Sequence, residues 1–286
     1  MKACPIFKKI KLFIWLIFMF GVSSVLMFCS KSDSPNNGNA KTTEISGQKS
    51  VLVQNAMAAP NESATNAAKA IEMAQQNHQY LALIFYNQKD ASLQEMDDIV
   101  TNFQTRSSKE IQVYKALTTD LKEADIIKEY GVDRAPLPLL LVFAPNGAVT
   151  GGFPLQQISR ERLEQAIVSE LMMKLLKTVQ SNRVALVLLK NDNTAFNDQA
   201  TQAAEDFAAD KRLNGFVDII QQNPLDATIT DFLNQCKLDK NLQKATVALV
   251  VPPGQIGGVY SGNITKDTLI NGLVACTAGS GCCGPR

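Results

Sequence analysis

Three thiols crowd one end of the chain. Cys276, Cys282 and Cys283 fall within eight residues of the run C-T-A-G-S-G-C-C-G-P-R, on a Gly-rich stretch that leaves them exposed and adaptable. Two active chemistries suit such a cluster. One is dithiol–disulfide exchange, through an adjacent-cysteine disulfide or one to Cys276. The other is capture of a soft ion such as Cu(I), with Zn(II) also compatible. A third role is structural: a disulfide that pins the terminus in an oxidising compartment and leaves one thiol odd. No other cofactor is expected. Cys236 differs, because it shares a helical face with Ile229, Phe232 and Leu233 and reads as core. A single histidine, His78, excludes His-rich metal clusters and argues against a Ser-His-Asp site. Asp90 stands just ahead of an amphipathic run and reads as a helix N-cap.

The elements that carry these residues begin with a segment for export. Lys2, Lys8, Lys9 and Lys11 precede an apolar run over residues 12–28, the n- and h-regions of an export signal that could also persist as an anchor. Cys29, followed by S-K-S-D-S-P-N-N-G, resembles the lipid-modified cysteine and polar tether of a bacterial lipoprotein; alternatively it ends an uncleaved anchor. Either way the folded part is expected on a membrane, on the extracytoplasmic face of the cell envelope. The net charge is +1, and about −3 without residues 1–28, so no basic footprint for nucleic acid remains. The stretch 30–54 is polar, without apolar periodicity, and reads as a spacer.

The folded part opens with a helix from about residue 60 to 77, then a buried strand over 81–86 that is too continuously apolar for an edge. A helix capped by Asp90 follows, with Leu93, Met96, Ile99, Val100 and Phe103 on one face. Next come a strand over 111–117, a helix over 121–130 stopped by Gly131, and the run G-V-D-R-A-P-L-P-L-L-L-V-F-A-P-N-G. A helix over 159–180 with Leu163, Ile167, Leu171, Leu175 and Val179 in steps of four is expected to close this first domain. This order resembles the thioredoxin-like family. The resemblance implies a cis-proline at the head of the third strand, and Pro138 occupies that place, ahead of Pro136. It also implies a C-x-x-C pair after the first strand, where this chain has Asp90-Ala91-Ser92-Leu93. A thiolate nucleophile at that helix end is therefore missing.

The pattern comes round again. I-S-R-E-R-L at 158–163 matches I-T-K-D-T-L at 264–269, and Gly151-Gly152 matches Gly257-Gly258, both 106 residues apart. Pro145-Asn146-Gly147 matches Pro252-Pro253-Gly254 at 107. The second copy reads as eroded: its first helix gone or shortened, T-A-F-N at 194–197 near the C-x-x-C place, and Ala245-Thr246 in place of the proline pair. The expected division is 1–28 signal or anchor, 29–58 tether, 59–181 first thioredoxin-like domain, 182–276 degenerate second one and 277–286 tail. The fold class is α/β, two tandem domains with a central mixed sheet flanked by helices. Retention of the fold without the sulfur pair implies a non-catalytic module that binds protein or peptide around Asp90, Ser92, Leu137 and Pro138. Thiol exchange or soft-metal handling by Cys276, Cys282 and Cys283 is the alternative.

Overall fold

A computed structural model describes residues 66–213 and 215–277. The expected signal, tether and Cys29 lie outside the described residues, as do Cys282 and Cys283. The first half runs α1 (Ala67–Gln76), β1 (Tyr80–Tyr86), α2 (Ala91–Arg106), β2 (Ile111–Leu117), α3 (Ala124–Tyr130), β3 (Leu139–Phe143), β4 (Val149–Pro154) and α4 (Arg160–Gln165). Its sheet order is β2-β1-β3-β4, with β1 parallel to β2 and antiparallel to β3. The sequence Y-L-A-L-I-F-Y makes β1 central because both of its faces are covered. Leu81, Leu83 and Phe85 pack with α1 and α3, whereas Tyr80, Ala82 and Ile84 pack with α2 and α4.

The second half repeats this element for element. It comprises α5 (Glu170–Gln180), β5 (Val184–Leu189), α6 (Asn197–Ala208), β6 (Val217–Gln222), α7 (Thr230–Gln235), β7 (Thr246–Val251), β8 (Gln255–Ser261) and α8 (Lys266–Thr277). Its sheet order is β6-β5-β7-β8. The likeness reaches single residues. His78 and Asn182 take the same left-handed turn ahead of the central strand, at φ 56° and 55°. Asp120 and Asp226 cap matching 3-10 turns, and each third strand shifts register, at Val142/Phe143 and at Leu249/Val250. The paired turns end on Gly147 and Gly254, both at positive φ.

Three expectations are corrected. The run 159–180 is two helices, α4 and α5, broken at residues 166–169, where Ser169 starts the second by accepting a hydrogen bond from the Met172 N–H at 3.4 Å. Leu171, Leu175 and Val179 of α5 pack in the second core with Ala185, Val187 and Leu189, so α5 does not close the first domain. It supplies the first helix that the second copy was expected to have lost. Finally, Leu139 pairs with Phe85 and Thr246 with Leu189, which places Lys244-Ala245, not Ala245-Thr246, opposite Leu137-Pro138.

Candidate functional site

The end of the first sheet where β1 stops is built by three connections. After Tyr86 the chain turns through residues 87–90 into α2. Asp90 is extended, and its Oδ1 accepts from the Leu93 N–H at 3.0 Å, the N-cap expected from sequence. Its Oδ2 accepts from the Gln88 amide at 2.9 Å. The Leu93 N–H first, and the Gln88 amide second, hold the Asp90 carboxyl below the usual carboxylate range. Ser92, half-buried, sits in the first turn of α2, and Leu93 turns into the core.

Pro138 reaches the same place from the other side of β1. The Phe85–Leu139 pairing leaves Pro138 beside Tyr86. The Leu137–Pro138 peptide bond is cis, as expected, and Pro138 is buried. The Leu137 side chain packs on the first core, while its N–H and C=O make no hydrogen bond among the described residues. The third connection follows β2, whose Leu117 pairs with Tyr86. There Thr118 donates its N–H to the Tyr86 carbonyl at 2.8 Å, and Leu121 stands 90% exposed. Leu121 is a member of this sheet end that the sequence did not single out. The signal was present in Asp120-Leu121, a capping residue followed by a leucine outside the apolar spacing of α3.

At the matching place in the second half the chain closes on itself. Ala195 donates its N–H to the Gln243 carbonyl at 3.0 Å, and its carbonyl accepts from the Ala245 N–H at 2.8 Å, a parallel bridge to Lys244. Thr194, Asn191 and Asn197 stiffen that loop through side-chain bonds, and the Lys244 ammonium lies 5.9 Å from the Phe196 ring centre. Thr246 Oγ1 donates to the Lys244 carbonyl at 3.1 Å. Pro138 has no N–H with which to make the bond that Ala245 makes.

The thiols are placed apart from this end. Cys236 is buried against Phe232 and Leu233, as expected, and burial pushes its thiol up to about 11. Cys276 lies on the last turn of α8, its thiol donating to the Gly257 carbonyl at 3.3 Å. Its neighbours there are carbonyl groups, the opposite polarity from the helix N-terminus at which thioredoxin-type thiol chemistry is run. A Cβ at Gly257 would come within 2.6 Å of that sulfur, so glycine is what lets α8 approach β8 so closely.

No protein-family model and no curated protein matches the chain. Among solved structures, the first two thioredoxin domains of Saccharomyces cerevisiae Eps1p are similar over 72% of this chain and 94% of theirs, at 11% identity and a TM-score of 0.27. Thioredoxin O2 from Arabidopsis thaliana is similar over 38% of this chain and 85% of its own, at 14% identity and a TM-score of 0.28. The NTD_N/C domain of alkylhydroperoxide reductase AhpF from Enterococcus faecalis is similar over 72% and 98%, at 15% identity and a TM-score of 0.23. Strand order and register define the class: two tandem thioredoxin-like domains of α/β type.

Proposed function

We propose that the chain is a membrane-tethered, extracytoplasmic module whose first thioredoxin-like domain binds an extended segment of a partner protein or peptide, without redox catalysis. The observation that carries this reading is the backbone of Leu137. One donor and one acceptor there have no partner among the described residues, beside a proline that cannot close the gap from within. Backbone groups of this kind are satisfied by strand addition. In the second half the bridge from Ala195 takes the Gln243 carbonyl and the Ala245 N–H, at the positions of Pro136 and Pro138, and the Lys244 carbonyl accepts from Thr246, while the Lys244 N–H, like that of Leu137, has no partner among the described residues. Asp90, Ser92 and the exposed Leu121 lie at the same sheet end and would supply polar and apolar contacts for alternate side chains of the ligand.

The test is selection of a random peptide display library on the full-length protein, repeated with Leu137→Pro and Leu137→Ala. Peptides that bind through the backbone should be lost on Leu137→Pro, which removes the N–H, and retained within a few-fold on Leu137→Ala. Equal capture by wild type and Leu137→Pro would exclude this surface. The tether rests on the apolar run at 12–28 and on Cys29. Mass spectrometry of the N-terminus should find lipid on Cys29, and an unmodified N-terminus elsewhere would refute that attachment.

A further inference from the structure

The outer strands of the two sheets, β2 and β6, are equivalent in topology and differ in how their open edges are guarded. In β6, the Phe216 carbonyl accepts from Val184 and the Gln222 carbonyl from Lys190, so even-numbered residues turn their backbone toward β5. Odd-numbered Val217, Ile219 and Gln221 turn theirs to the open edge. The Val217 carbonyl confirms the direction, because it accepts from the Arg183 guanidinium at 3.2 Å. The same alternation puts Ile111, Val113 and Lys115 at the open edge of β2, where the Gln104 amide caps the Ile111 carbonyl at 2.7 Å.

On β2 the middle of that edge carries Lys115, held by Asp97 at 2.6 Å, and Val113 is buried. A charged residue on an edge strand opposes pairing with another strand. On β6 the residue matching Lys115 is the neutral Gln221, and Ile219, matching Val113, is 37% exposed. The charge on β6, Asp218, is paired with Arg183 and accepts from the Thr178 hydroxyl. The β6 edge is therefore capped at Val217 by Arg183, apolar at its centre and unpaired at Ile219 and Gln221 among the described residues.

We propose that two copies of the chain pair through β6, antiparallel about a two-fold axis at Ile219, to form one continuous sheet. The strand is self-complementary in that register. Ile219 meets its own copy in reciprocal hydrogen bonds, and Val217 meets Gln221, the Val217 carbonyl accepting through its second lone pair beside Arg183. On one face the two Ile219 side chains cover each other. On the other, Asp218 falls beside the partner's Ile220, so no like charges oppose. The same register on β2 would bring Lys115 against Ile111 and offer no exposed apolar centre.

The test is sedimentation equilibrium of the full-length protein in mild detergent with excess reductant, which prevents disulfide-linked dimers. Wild type should have the mass of two chains. Ile219→Lys and, separately, Gln221→Pro should each return the mass of one chain with an unchanged circular dichroism spectrum, and Lys115→Pro, the matching change on the open edge of β2, should remain a dimer. A single-chain mass for wild type at every concentration would overturn the proposal. So would a dimer that survives both β6 substitutions, or one that Lys115→Pro dissociates.

Discussion

At Leu137 the side chain rests on the first core, so recognition at this position falls to its backbone. The flanking residues separate the two halves: at 245 an alanine N–H closes a bridge to Ala195 that Pro138 cannot make. Cys236 shows the opposite kind of residue, whose chemistry is suppressed by its surroundings. It is 4% exposed, and desolvation alone raises its thiol from 9.0 to about 11. A thiol whose folded pKa lies above its unfolded one holds its proton more tightly when folded. Its stabilising contribution is complete below pH 9 and is lost as pH rises to about 11. Denaturant titration across that window should show wild type losing roughly 1–3 kcal/mol more than Cys236→Ala. Tyr114 and Tyr130, both pushed up to about 12, continue the decline in both proteins. Parallel pH profiles for the two would show that burial does not control this thiol.

At the scale of elements, what was legible in the sequence was what single residues enforce. Asp90 before an amphipathic run, Gly131 after one, and Pro138 ahead of an apolar strand each name a position, and each is found there. Helix α5 was misplaced because Leu163, Ile167, Leu171, Leu175 and Val179 keep steps of four straight through a break. Spacing reports that a stripe is apolar but not which core it meets. The discriminating cue was Ser169-Glu170, a cap with an acid in the first turn, placed as Asn66 is placed ahead of α1. The assignment of α5 has a direct consequence. Leu175, 5% exposed, should cost about 2–5 kcal/mol when truncated to alanine. Hydrogen exchange should show the lost protection in β5 to β8, at least as large there as in β1 to β4. Loss confined to the first sheet would return α5 to the first domain.

At the scale of the whole described molecule, α5 is also what joins the two halves. One face enters the second core, while Met173 packs against the first. Around it the halves exchange specific bonds. The Gln180 side-chain oxygen accepts from the Val149 N–H at 2.9 Å, and its amide donates to the Val149 carbonyl at 2.7 Å. The Asn146 amide donates to the Met173 carbonyl at 2.8 Å, and the Tyr80 hydroxyl donates to Val168 at 3.1 Å. Three side chains thus satisfy backbone groups at the seam, each bond contributing about 0.5–1.5 kcal/mol. The four bonds sum to about 2–6 kcal/mol, which reaches the lower end of a domain's stability, so the halves should unfold together. Calorimetry of wild type should show one transition, and Gln180→Ala combined with Asn146→Ala should split it into two, the sheets remaining intact by circular dichroism. Two transitions already present in wild type, or one that persists in the double variant, would mean that the seam does not couple the halves. Coupling matters for the proposed site: Asn146 and Val149 lie on the β3–β4 hairpin, and β3 is the strand headed by Leu137 and Pro138. A clasp on that hairpin fixes the strand whose leading backbone is left open, so the double variant should also weaken any peptide selected through Leu137, read as a several-fold rise in Kd.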